Sequence, residues 1–237
     1  MTEIVMPGDR VRPQPSGSAD TQIIGYGIEK KQGEFLALQP GTLRSQGKKH
    51  WISVQSRRYT PQTGDLVLGV VTGKMGDLFK VDIGCADQAN ISYLAFEGAT
   101  KRNRPNVRVG DLLYARVLTT SKHIEPELTC VDGELRSRGL GVLPSEGISF
   151  RVPLHVARRT LSSKSQLLHI LGKDFKFEIT IGLNGRIWLK CDEHRELVFL
   201  RRVIARSEYV HDSLVPEFVE KEVRRLRGFD SSALPQP

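Results

Sequence analysis

Four stretches of this 237-residue chain carry residue types whose spacing could do chemistry. Gly69 and Gly73-Lys74-Met75 approach a phosphate-binding loop, but the motif is one residue short, and Met75 stands where a magnesium-binding hydroxyl is needed. Cys191-Asp192-Glu193-His194 gathers four possible metal ligands. Adjacent helical positions point to different faces, so the stretch reads as a helix start rather than a metal site. The six histidines are scattered singly and no Gly-x-Ser-x-Gly turn occurs, so no catalytic residue is assigned. Lys101-Arg102-Asn103-Arg104 is the densest basic cluster. It suits phosphate contact and suits an acidic protein neighbour equally well.

Gly182-Leu183-Asn184-Gly185 allows two readings. A Gly-x-x-Gly loop can clamp a nucleic-acid backbone. Asn-Gly between apolar β runs is also a strong hairpin signal, and the two middle residues carry no cation. The turn mechanism favours a structural turn formed by Gly182, Asn184 and Gly185, with Trp188 packed behind it.

These residues need elements to hold them. The first 60 residues show short β-prone runs (22–24, 34–38 and 51–55) broken by glycines, which predicts a small β-domain of hairpins. Residues 61–64 form the joint to the next part. Strands are expected at 66–72, 78–83, 89–94, 112–119 and 127–131, with a long polar connection before the fourth. That is the spacing of a five-stranded OB-type Greek-key barrel, which binds oligonucleotides on strands two and three and nearby loops. The matching loops are 73–76 and 121–126. The pattern then changes to α plus β. A strand is expected at 148–152, helices at 154–161 and 165–171, and paired strands at 175–181 and 186–190. Two further helices follow, the first N-capped by Asp192 and the second over about 215–226.

Composition bounds the function classes. There are 35 basic and 27 acidic side chains, for a net charge of +8, which favours a polyanionic partner. The charge is uneven: nine basic against five acidic residues in 1–60, eight against ten in 61–135, and eighteen against twelve in 136–237. Three widely spaced cysteines with no Cys-x-x-Cys pair fit a reducing compartment. No apolar run approaches bilayer length, and no signal-peptide pattern is seen at the start, so a soluble chain without membrane contact is expected. No cofactor is implied.

Several runs together carry a family resemblance. They are Gly64-Asp65-Leu66-Val67, Phe79-Lys80-Val81-Asp82-Ile83-Gly84, the unbroken segment 92–107, Val109-Gly110-Asp111-Leu112 and Gly185-Arg186-Ile187-Trp188. The chain resembles the ribosomal RNA-processing protein 40 family, cap subunits of the eukaryotic RNA exosome, strongly over about 62–227 and weakly before that, through Met6-Pro7-Gly8-Asp9. The resemblance implies a multi-domain protein, mainly β plus α/β. Its parts would be an N-terminal β-domain (1–60), an S1-type OB barrel (61–138) and a KH-type α/β domain with C-terminal helices (139–237). It implies a non-catalytic subunit whose partners are RNase PH-like ring subunits, other cap subunits, associated 3′–5′ exonucleases and single-stranded RNA, in nucleus, nucleolus and cytoplasm. Where S1 domains present stacking aromatics this chain has Asp77 and Lys80, and Tyr93 replaces a histidine. RNA contact is therefore expected to be mostly electrostatic, through Lys74, Lys80, Lys101, Arg102 and Arg104, with Tyr93 as the one remaining ring.

Overall fold

The computed structural model describes residues 3–11, 23–31, 33–54, 56, 58–121, 124–163, 165–211 and 214–228. The chain forms two compact units, Met1–Ser56 and Arg57–Pro237.

The first unit contains β1 (Glu3–Val5), β2 (Ile23–Ile24), β3 (Ile28–Lys31), β4 (Glu34–Ala37), β5 (Gly41–Gln46) and β6 (Lys49–Ser53). Six strands thus appear where the β-prone runs indicated three. Gln22 and Gln55, at the ends of two expected runs, lie outside the described residues. One sheet runs β1-β5-β6-β2, and β3 and β4 form a separate hairpin. Val5, Val11, Ala37 and Ile52 make the small core. Gly41 is glycine for space, because a Cβ there would meet Ser53 O at 2.6 Å.

In the second unit β7 (Leu66–Met75), β8 (Leu78–Asp82), β9 (Ala89–Ser92), β10 (Leu112–Ser121) and β11 (Ile124–Thr129) are the five expected strands. Antiparallel pairing of β10 with β11 and parallel pairing of β11 with β9 close them into a barrel. Alternating Val67, Val71, Phe79, Val81, Ile91, Leu113, Ala115 and Val117 fill its interior. Gly69 lies inside β7, where a Cβ would run into Val81, and Gly73 follows a register shift in the same strand. The phosphate-loop likeness therefore dissolves into strand packing. The third strand ends earlier than expected: the Ser92 hydroxyl accepts from Leu94 N–H and starts a 3-10 turn, Tyr93–Ala95. Gly141 begins β12 (Gly141–Val142), which pairs with β10 and extends the barrel sheet past residue 138. Lys122 and His123, in the expected loop 121–126, lie outside the described residues.

The α/β part comprises β13 (Ile148–Arg151), α1 (Leu154–Leu161), α2 (Leu167–Asp174), β14 (Phe177–Ile181), β15 (Arg186–Cys191), α3 (His194–Arg206) and α4 (Val215–Leu226), in a sheet of order β13-β15-β14. Ile187 and Leu189 of β15 face the helices and join Val156, Leu171, Leu200, Val203, Ile204 and Val219 in the larger core. Asp192 does not cap α3. Strand β15 runs on to Cys191, the helix starts at His194, and Glu193 takes the cap position without a side-chain hydrogen bond. Among the described residues no three His, Cys, Asp or Glu side chains group as metal ligands, and no helix is long and apolar enough to cross a membrane.

Candidate nucleic-acid interface

The barrel's basic residues separate into three local settings. In the long connection before β10, Asn103 N–H donates to Thr100 Oγ1 at 3.0 Å, Thr100 N–H to Asn103 O at 2.9 Å, and Asn103 Nδ2 to Gly98 O at 3.1 Å. This tight turn leaves Lys101 and Arg102 exposed at its tip. Just past it, Arg104 Nη2 donates to Asp77 Oδ1 at 3.2 Å and the guanidinium lies 4.9 Å from the centre of the Tyr93 ring. Tyr93 N–H donates to Asp77 O at 3.2 Å, so the β7–β8 turn, the 3-10 turn and the basic loop form one cluster. Tyr93 itself is only 7% exposed and belongs to the barrel core. It is roofed by Arg104 rather than presented as an open stacking face, a correction to the expectation of a free ring. The 3-10 turn that ends β9 is the reason.

Lys74 and Lys80 lie elsewhere. Lys74 Nζ sits 5.5 Å from the Phe79 ring centre. Lys80 Nζ donates to Glu125 Oε2 at 2.6 Å, and Asn90 Nδ2 donates to the same oxygen at 2.7 Å. Hydrogen bonds from Lys80 and Asn90 hold the Glu125 carboxyl below the ordinary glutamate range. The Lys80 charge is thus matched locally. Lys101 and Arg102 are exposed and make no ion pair among the described residues, which leaves them open to a phosphate.

The Gly182–Gly185 hairpin has a different occupation. Gly185 N–H donates to Gly182 O at 3.0 Å and Gly182 N–H to Arg186 O at 2.9 Å, with Gly185 at φ +76°. This is a three-residue loop closed by a left-handed glycine, not the two-residue turn that Asn-Gly alone suggests. Asn184 has no positive φ; its side chain is there for another purpose. Only 8% exposed, its Oδ1 accepts from Leu68 N–H at 3.2 Å. Its Nδ2 donates to Leu68 O at 2.7 Å and Ile83 O at 2.8 Å. Leu183 N–H donates to Leu66 O at 2.8 Å. A Cβ on Gly182 would meet Leu68 N at 2.7 Å, and one on Gly185 would strike Val152 O. The hairpin tip is therefore seated on β7, with its polar atoms used there.

Arg186 and Asp82, which spacing did not single out, complete the joint. Arg186 Nη1 donates to Asp82 O at 2.6 Å and Nη2 to Asp82 Oδ2 at 2.5 Å, while Arg151 lies 3.8 Å from the same oxygen. Burial works to raise the Asp82 carboxyl, but hydrogen bonds from Arg186 and Gly84 N–H outweigh it and hold the group below its ordinary range. Trp188, 2% exposed, shares the Arg186 face of β15, and a Cβ on Gly147 would run into its indole. An arginine directly before the apolar run Ile187-Trp188-Leu189 was the available sequence signal for this joint.

Residues 59–141 match a family model described as the exosome complex component RRP40 S1 domain, and residues 147–195 match a KH domain model. The exosome complex component RRP40 of Drosophila melanogaster is 43% identical over 207 residues, covering 86% of this chain and 89% of its own. That of Homo sapiens is 40% identical over 195 residues, covering 79% of this chain and 71% of its own. This chain belongs to the RRP40 family of exosome components. A solved structure described as an exosome complex RNA-binding protein agrees in fold, with a TM-score of 0.56 at 26% identity, over 72% of this chain and 99% of the other. In RRP40 terms, Leu68, Asp82 and Ile83 fall in the S1 match and Asn184 and Arg186 in the KH match. The two modules are joined by side-chain to backbone hydrogen bonds, through the KH-part hairpin that sequence alone left open as a clamp.

Proposed function

We propose that this chain is a non-catalytic, RNA-binding cap subunit of an exosome. It sits with other cap subunits on a ring of RNase PH-like subunits, stabilises that ring, and passes single-stranded RNA toward associated 3′–5′ exonucleases. Nucleus, nucleolus and cytoplasm are its compartments. The observation that supports this most is the seating of Asn184 on Leu68 and Ile83. It makes the S1 and KH modules one block and uses the Gly-x-x-Gly polar atoms for architecture. What remains for RNA is the exposed Lys101–Arg102 tip with Lys74 and Arg104, a set of charges without base-reading aromatics.

Binding of that kind is steeply salt-dependent and little dependent on sequence. On single strands the slope of log K against log salt is about −0.7 per phosphate neutralised. Labelled homopolymers titrated at several salt concentrations should bind with similar affinities. Lys101→Ala with Arg102→Ala should flatten the slope by about 1.4. The same RNA incubated with magnesium or manganese should stay full length. Salt-insensitive, sequence-selective binding, or metal-dependent shortening lost in a carboxylate variant, would overturn the reading.

A further inference from the structure

We infer a second contact for single-stranded RNA on the outward face of α3, made of residues that belong neither to the S1 loops nor to the Gly182–Gly185 hairpin. Helix α3 buries Leu197, Phe199, Leu200, Val203 and Ile204. Helical spacing then turns Arg195, Val198, Arg201, Arg202 and Arg206 outward. The helix ends in the 3-10 turn Ser207–Tyr209, whose Tyr209 is 83% exposed. Val198 is 54% exposed among the arginines.

Charge separates this face from an ordinary solvated one. Helix α4 pairs both of its arginines within itself: Arg224 with Glu220, and Arg225 with Glu222. On α3, Arg206 also reaches Glu222 at 3.1 Å, and Arg195 donates weakly to Leu226 O at 3.4 Å. Arg201 and Arg202 have no ion-pair partner among the described residues, and no carboxylate stands three or four positions from either. Arg202 and Arg206 are instead like charges at i, i+4, an arrangement that costs helix stability. The acidic residues nearby are Asp192 and Glu193 before the helix, Glu196 in its first turn, which accepts from Cys191, and half-buried Glu208.

Two unpaired guanidinium groups, Arg201 and Arg202, flanked by Arg195 and by the Glu222-paired Arg206 and followed by an open phenol ring, fit a phosphate backbone with one base stacked at its end. Arg195 and Arg202 are seven residues apart, about 10 Å along the helix, so the row spans more than one phosphate. Stacking needs only an accessible π-face, which Tyr209 offers and Tyr93 does not. The guanidinium groups suit phosphates and carboxylates alike, and the open Tyr209 ring beside them favours RNA as the occupant; an acidic protein segment is the alternative that the test must separate.

The test uses the full chain and a labelled oligouridylate at low and moderate salt. Arg201→Ala with Arg202→Ala should weaken binding about tenfold and flatten the salt slope by about 1.4, additively with the Lys101/Arg102 pair. Failure of either pair alone therefore identifies which surface is wrong. Tyr209→Ala should weaken binding about tenfold and Tyr209→Phe should restore it. All these side chains are exposed and Arg202→Ala also relieves a like-charge pair, so melting temperatures should not fall below the parental value. Unchanged affinity and slope in the arginine variant would overturn the inference. So would unchanged RNA binding together with lost binding of an acidic exosome subunit, which would make α3 a protein-docking face.

Discussion

Asn184→Ala should lower the stability of the Arg57–Pro237 unit by about 3–5 kcal/mol, because it removes three hydrogen bonds at once and strands buried backbone groups at about 1–3 kcal/mol each. Leu68 N–H, Leu68 O and Ile83 O all lose their partner. For a unit of this size the loss corresponds to a fall in melting temperature of about 10 °C. Gly185→Val should act in the same direction, since φ +76° is strained for a β-branched residue and its Cβ would strike Val152 O. RNA affinity of the protein that remains folded should change little. If Asn184→Ala instead melts like the parent and loses RNA affinity, the hairpin is a nucleic-acid clamp.

The second large effect lies at Asp82, and its two partners should respond unequally. Arg186 has a side-chain exposure of 6% against 39% for Asp82. Asp82→Ala leaves a buried guanidinium facing only a backbone carbonyl, and breaking a buried pair from one side costs about 3–5 kcal/mol. The part-exposed carboxylate moves the expectation to the lower end of that range. Arg186→Met should cost less, because Asp82 can return to water. The pair also sets a pH dependence. Asp82 titrates below its ordinary range in the folded protein, so its contribution is complete above that range and is lost as pH falls through the lower folded-state value. Melting curves of parent and Asp82→Ala should converge as the solution is acidified. A gap that stays constant with pH, or a larger loss in Arg186→Met, would contradict this account of the joint.

Much of this fold was legible from local pattern. Helices α1 and α4 fall where amphipathic spacing places them, and the five barrel strands fall where alternation and the long polar connection place them. Glycine and turn chemistry told less. Asn184 would be equally natural as a left-handed turn residue or as a side chain aimed at a distant backbone, and its partner Leu68 lies 116 residues away. No local spacing encodes such a contact. Tyr93 shows the same limit: one hydroxyl, at Ser92, ended the strand early and placed the ring under Arg104. Arg186 was passed over as the first residue of an apolar run, and the identity of its carboxylate depended on the tertiary contact between the barrel and the α/β part.

The central claim is membership of an assembled exosome, and affinity purification of the tagged chain from cells tests it most directly. Identification of the co-purifying chains should return RNase PH-like ring subunits together with further S1-containing cap subunits, with recovery reduced by Asn184→Ala. Recovery of the chain alone, or with RNA but without any ring subunit, would contradict the account.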